Sequence, residues 1–227
     1  MSTVYTNPPR TDPAIAAGFI DLGVATIHEA QGRTGLMLPY MRPIYAGARA
    51  VGTAITVSLA PCDNWMLHVV VEQCQRGDIV VAAPTSFSDA GYFGELIATS
   101  LHARGVRGLI LEGGCRDVAE LTRIPFPVWS RAISAQGTVK ETLGSINVPL
   151  VCAGQLVHPG DLIVADDDGV VVVPRLHADA VLAASRAREE KEAATRARLQ
   201  SGEIGLDIYG MRDTLARKGL TYKPYEP

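Results

Sequence analysis

The sequence predicts an α/β fold with a helical C-terminal extension, and three observations carry that reading. RGDIVVAAP, DAGYFGELIATSLHARG and VRGLILEGG follow one another as strand, helix and strand, the alternation that builds a parallel sheet. From PVWSRAI to DGVVVVP the chain is mostly β, in short apolar segments parted by turns, which predicts a sheet or barrel-like sandwich. From Leu176 to about Ser201, Ala, Glu, Arg and Lys dominate without proline, which predicts one long polar helix.

Taken in order, residues 1–12 read as a loose arm. PAIAAGFIDLGVATIHEAQG places apolar residues at mixed three and four spacing, giving one or two helices with a break near Gly23. ARAVGTAITVSLA alternates and is rich in β-branched residues, so it reads as a strand; DNWMLHVVVEQCQ opens on an Asp-Asn cap and reads as a helix. RGDIVVAAP is a short buried strand after a turn. DAGYFGELIATSLHARG has helical composition and a glycine stop, and VRGLILEGG is a strand with a glycine-rich exit. PVWSRAI, GTVKETLGSI, VPLVCAG and DLIVADDDGVVVVP read as strands, with Asp168-Gly169 as a hairpin signal. LDIYGMRDTLARKG adds a further helix. The expected division is an α/β domain over 1–175, N-terminal helices included, and a helical extension over 176–227.

Composition narrows the function classes. The chain has 227 residues, 47% of them hydrophobic, enough for a sizeable core, and a net charge of -3. With a pI of about 6.0, no basic field is expected for nucleic acid or an anionic membrane, and a small anion would need a local basic spot. Cys62, Cys74, Cys115 and Cys152 form no CxxC pair, which predicts free or buried thiols in a reducing compartment. MSTVYTNPPRTDP lacks the basic start and apolar core of a signal peptide, and no run reaches membrane-spanning length, so the expected location is the cytoplasm.

Two stretches can carry chemistry. In LEGGCRD, Gly113 and Gly114 stand at the end of a predicted parallel strand, where a ligand can approach the backbone. There Arg116 can fork onto a carboxylate or enolate, and Asp117 is a hard oxygen ligand for Mg²⁺ or Mn²⁺. An equally open reading makes the pair a surface ion pair, with Asp117 capping the helix VAELTRI. In SDAGYFGELIATS, Gly91 and Gly94 precede a helix whose free amides, at Leu96 and Ile97, can receive a carboxylate; Glu95 can hold a water or reach a metal. The plain alternative is close packing at Gly94 and a capping Glu95.

Other signals are weaker. Asp166, Asp167 and Asp168 lack the spaced ligands and closing Glu of a calcium loop and read as a hairpin turn. The histidines at 28, 68, 102, 158 and 177 show no HxH or HExxH spacing, and neither a Walker loop nor GxGxxG occurs. Lysine occurs only at 140, 191, 218 and 223, three of these in the polar C-terminal part, which makes a metal route to carbanion chemistry easier to build than a Schiff base.

Across GELIATSLHARGVRGLILEGGCRD, DGVVVVP and EEKEAATRARLQSGEIGLDIYGMR the chain resembles the metal-dependent 4-hydroxy-4-methyl-2-oxoglutarate/4-carboxy-4-hydroxy-2-oxoadipate aldolases, relatives of the RraA-like proteins. The resemblance implies an RraA-like α/β/β/α sandwich, swivelling-domain-like, over 1–175, with the extension packing on a neighbouring subunit of a homotrimer or homohexamer. It implies that Asp117 anchors Mg²⁺ or Mn²⁺, that Arg116 holds the keto oxygen of a 2-oxo acid, and that Gly94, Glu95, Leu96 and Ile97 line the carboxylate subsite. It places Glu95 beside a water on the metal, as relay for the base. It brings an acidic residue from a neighbour's C-terminal helix, matched to Glu192 with Glu189 and Glu190 adjacent. The reaction implied is cleavage to pyruvate in protocatechuate or gallate breakdown, with oxaloacetate decarboxylation as a side or principal activity. A second carboxylate on the substrate needs one more arginine, for which Arg49 and Arg131 are candidates. The alternative within the same likeness is a regulator that binds an RNA-degrading enzyme.

Overall fold

The computed structural model describes residues 2–226. Helix α1 (Pro13–Ala17) starts where the Asp12 carboxylate accepts the Ala14 amide at 2.7 Å. Extended Gly23 then breaks the run, and α2 (Val24–Ala30) begins with its Val24 amide donating to Asp166 Oδ2 at 2.9 Å. The short β1 (Arg42–Pro43) leads to β2 (Ala50–Leu59). Helix α3 (Trp65–Val69) closes with a 3-10 turn over Val70–Glu72. There follow β3 (Asp78–Pro84), β4 (Gly91–Phe93), α4 (Glu95–Ala103), β5 (Gly108–Cys115), α5 (Val118–Arg123) and β6 (Val128–Ile133). The β-rich part continues with β7 (Ser145–Ile146), the hairpin β8 (Leu150–Cys152) and β9 (Gln155–Val157), and the hairpin β10 (Leu162–Asp166) and β11 (Gly169–Val173). The chain ends in α6 (Ala178–Gln200), α7 (Gly205–Ile208) and α8 (Arg212–Arg217).

Strands β2, β3, β5 and β6 form a parallel centre, flanked by antiparallel β1 on one side and β10 and β11 on the other, in the order β1-β6-β5-β3-β2-β10-β11. The sheet curls until its two ends, β1 and β11, touch. Ala54, Ile79, Ile110, Trp129, Ile163 and Val172 all point into the fold of the curl and share one core. The Trp129 indole crosses it to donate to the Asp166 carbonyl at 2.8 Å.

Alternate residues face outward. Ile55, Val80, Leu109 and Val128 pack with Leu67, Ile97, Leu101 and Leu121 of α3, α4 and α5. Val51, Leu162, Val164 and Val171 pack with α2 and with the start of α6. Both faces of the central strands are therefore covered, which is why β2 is buried along almost its whole length rather than alternating. In section the part up to residue 185 is helix, sheet, sheet, helix: the α/β/β/α arrangement expected.

Three local expectations change. The stretch GYF is a strand, not helix, because it pairs in parallel with the end of β5. GTVKETLGSI is irregular except for β7 and a single bridge between Val139 and Asp63, since the Asp63 carboxylate takes the amides of Glu141 and Thr142, each at 2.7 Å, that a ladder would need. Burial alone would raise the Asp63 pKa, but those amides and that of Trp65 outweigh it and hold the carboxyl below its ordinary value. The last predicted helix is two short ones, parted at Gly210 in the left-handed region with φ of 61°.

The chain divides into one compact unit ending at Ser185 and a second from Arg186. The first unit runs past the boundary expected at 175 because Ala178, Val181 and Leu182 are buried against β10 and β11. The second consists of the remainder of α6 with α7 and α8, and carries the ion pairs Arg198–Glu203 and Arg212–Asp207 on its surface. Among the described residues no helix is long and apolar enough to cross a membrane.

Candidate functional site

The ends of β4 and β5 lie side by side, with Gly91 opposite Gly114. The glycines of LEGGCRD serve that pairing. A Cβ at Gly113 would meet the Tyr92 ring at 2.9 Å, and one at Gly114 would meet the Asp89 carbonyl oxygen at 2.3 Å. The space they leave is filled by the chain itself, so the role expected for them, access for a ligand, passes to Gly94.

Beyond β5 the Arg116 amide donates to the Phe93 carbonyl at 2.9 Å, and Asp117 turns into the left-handed region with φ of 59°, a conformation that aspartate tolerates better than most residues. The turn aims the Asp117 carboxylate away from α5, which it does not cap, and at α4: its Oδ2 accepts the Glu95 amide at 3.1 Å. A Cβ on Gly94 would sit 2.3 Å from that oxygen. Gly94 is thus the residue whose missing side chain lets the carboxylate in. Arg116 Nε stands 3.7 Å from the same oxygen, and both side chains remain open to solvent, at 48% and 38% exposed.

Helix α4 completes the corner. Leu96 is exposed and Ile97 buried, and by helix geometry their first-turn amides have no intrahelical partner, leaving two donors at the positive end of the dipole. Glu95 is half-buried, and its Oε1 accepts the Thr99 hydroxyl at 2.8 Å. Thr99 was not singled out from sequence, although its spacing of four from Glu95 on a helix is the signal for such a bond.

The structure therefore brings together Gly94, Glu95, Leu96, Ile97, Arg116 and Asp117. Glu192 lies on α6 in the second unit, where it pairs with Arg188 at 2.8 Å.

Among the described residues no three His, Cys, Asp or Glu side chains group as a ready metal cage. Within the corner Asp117 by itself suits a hard cation that keeps most of its waters: Oδ2 is anchored by one amide, and among the described residues none donates to Oδ1. At the Asp166–Asp168 turn, by contrast, two of the three carboxylates have both oxygens taken up by backbone amides. Asp166 accepts the amides of Val24 and Asp168, and Asp167 accepts that of Gly47.

The two arginines nominated for a second carboxylate are both committed. Arg131 donates to Asp89 at 3.1 Å and to Glu112 at 3.4 Å, between the rings of Tyr40 and Phe87. Glu112 also accepts the Tyr40 hydroxyl and the Ala153 amide; burial and then that bond push the Tyr40 pKa up to about 12. Arg49 donates to the Ile20 and Leu22 carbonyls. All four cysteines are free, and burial pushes the Cys74 and Cys115 thiols up to about 12, too high for a nucleophile at neutral pH.

Comparison with known proteins meets this geometry. A family profile described as "RraA-like: Aldolase/RraA" matches residues 22–172. The chain belongs to the RraA-like family. Over 141 residues this RraA-like chain is 28% identical to the 4-hydroxy-4-methyl-2-oxoglutarate aldolase of Thermus thermophilus, covering 62% of this chain and 85% of that relative. A protein of Pseudomonas syringae superposes with a TM-score of 0.78 at 27% identity, covering 88% of this chain and 94% of its own. Streptomyces coelicolor RraAS2, described as an unusual member of the RNase ES inhibitor RraA protein family, superposes with a TM-score of 0.73 at 27% identity, over 82% of this chain and 98% of its own. Relatives of the RraA-like chain thus carry the names of an enzyme and of an inhibitor, and the profile contains the whole corner from Gly91 to Asp117 but stops before α6.

Proposed function

We propose that this RraA-like chain is a divalent-metal-dependent carbon–carbon lyase of aromatic-acid breakdown. It releases pyruvate from 4-hydroxy-4-methyl-2-oxoglutarate, 4-carboxy-4-hydroxy-2-oxoadipate or both, and decarboxylates oxaloacetate as a side activity. The observation that carries the reading is the Asp117 carboxylate pinned to the first amide of α4 beside Arg116, in a space that exists because residue 94 has no side chain.

Asp117 would hold Mg²⁺ or Mn²⁺, which when bound supplies Lewis-acid polarisation of the 2-oxo group. The amides of Leu96 and Ile97 bind the substrate's C1 carboxylate at the dipole's positive end. Arg116 donates to the 2-oxo oxygen and strengthens that bond as negative charge develops there. Glu95, steadied by Thr99, receives the 4-hydroxyl proton directly or through a water. The C3–C4 bond then breaks: its electron pair passes into the pyruvate enolate, C4 becomes the carbonyl of the second product, and a proton returns to C3. With oxaloacetate the bond broken is the one to the C4 carboxylate, which leaves as carbon dioxide and yields the same enolate.

A neighbouring copy supplies Glu192 from α6, which makes a trimer or hexamer the working form.

The test is pyruvate release from both substrates with Mg²⁺ and with EDTA. Release with Mg²⁺ that stops with EDTA is expected, and the ratio of kcat/KM ranks the substrates and oxaloacetate. The likeness to RraAS2 supports a second reading, a regulator that binds an RNA-degrading enzyme. Absence of release from the folded, Mg²⁺-loaded protein sinks the lyase, and binding to a ribonuclease of the RNase ES type then decides for the regulator.

A further inference from the structure

We propose that a cavity at the N-terminal edge of the parallel strands, opposite the corner, binds an organic anion: a carboxylate or phosphate carried on an apolar body. The cavity measures about 540 Å³, in the size range of small-molecule sites. Ala16 and Ala17 of α1, Ile20 beyond it and Val51 of β2 form its apolar wall. Its floor is the Arg10–Asp78 pair, in which Nε and Nη2 each donate to a carboxylate oxygen at 2.9 Å. Asp78 is 1% exposed and also accepts the Gln75 amide at 2.7 Å, so Arg10 is neutralised and the N-terminal arm is tied in place.

Arg76 and Arg107 form the rim. They sit in the turns that feed β3 and β5, and those turns lock to each other: the Gly77 amide donates to the Gly105 carbonyl at 3.0 Å, and the Arg107 amide to the Asp78 carbonyl at 2.7 Å. Gly105 adopts φ of 79°, and a Cβ there would stand 3.2 Å from the Arg76 Cβ, so the Arg76 stem lies against the turn. Among the described residues neither guanidinium has a hydrogen-bond or ion-pair partner, while the other cation of the cavity has both.

Arg76 and Arg107 both line the cavity and carry charge that no carboxylate among the described residues neutralises, so an anion bound there gains from both. This is the local basic spot that the overall charge of -3 does not provide. Inorganic phosphate would satisfy the rim alone; an anion with an aromatic or aliphatic body also buries the wall of alanine, isoleucine and valine. The site stands apart from the Arg116–Asp117 corner, so it survives or fails independently of the lyase reading.

Calorimetric titration of the full chain with benzoate, phenyl phosphate and inorganic phosphate tests it. At least one of the two aromatic anions binds with one-to-one stoichiometry and more tightly than inorganic phosphate, and the tighter of the two identifies the head group. R76A/R107A weakens that binding about tenfold or more, as loss of charged hydrogen-bond donors does. A17W, which fills the cavity from α1 and leaves both arginines intact, abolishes it; melting curves confirm that both variants are folded. No binding of any probe, equal affinity for phosphate with and without the ring, or binding unchanged in both variants overturns the proposal.

Discussion

The Asp166–Asp168 turn and the Arg116–Asp117 corner both place carboxylates at strand ends, yet of the two only the corner offers a carboxylate with one oxygen held by the fold and the other left free. At the turn three successive aspartates look like a cation site in sequence, but the amides of Val24, Gly47 and Asp168 take up both oxygens of Asp166 and of Asp167, capping α2 and closing a hairpin, while the Asp168 carboxylate is held by nothing among the described residues. At the corner a single aspartate keeps one oxygen disengaged, held in position through the other by an amide of a different helix. Fitness of a carboxylate for a ligand therefore needs one oxygen anchored and one free: Asp166 and Asp167 lack the free oxygen, Asp168 lacks the anchor, and Asp117 has both.

The contrast is broken or sharpened by substitution, beginning with the largest effect. Asp117→Asn keeps a side chain that accepts the left-handed backbone but removes the charge; Mg²⁺-dependent pyruvate release falls roughly 10³-fold. Unchanged release would remove Asp117 from the site.

Arg116→Ala loses roughly 10²-fold in kcat, with a smaller change in KM, because its donor is needed most as the enolate forms. A change confined to KM would make Arg116 a binding group only. Gly94→Ala puts a Cβ only 2.3 Å from the position Asp117 Oδ2 now holds and so moves the carboxylate; release drops about 10²-fold while the protein stays folded. Full activity in that variant would show that the close approach is not what positions Asp117.

The smallest effect belongs to the turn. Asp166→Ala removes the acceptor for the Val24 and Asp168 amides, lowers stability by about 1–2 kcal/mol in denaturant unfolding and leaves release within about twofold. If it abolished release as Asp117→Asn does, the two carboxylate groups would not differ as described.

Much of the corner was legible because its parts are local. Gly94, Glu95, Leu96 and Ile97 are consecutive at a helix start, and Arg116 and Asp117 are adjacent at a strand exit. What escaped depends on pairing between distant segments. The strand at Gly91–Phe93 is made by its ladder with β5; at three residues it is too short for its two aromatics to mark it as a strand. Arg131 looked like a spare cation, but parallel pairing of β5 with β6 sets it beside Glu112, and the loop before β4 brings Asp89. Gly113 and Gly114 looked like room for a ligand and are room for Tyr92 and the Asp89 backbone.

The sequence by itself determined the α/β class, the order of most strands and helices, the long polar helix at the C-terminus and the residues of the corner, because periodicity, caps and glycine stops act over a few residues. Only the tertiary structure decided which charges are spoken for. Whether Asp117, Asp166, Arg131 or Arg107 has a partner depends on strand register and on which turn packs against which, and those are properties of segments tens of residues apart brought within hydrogen-bond distance.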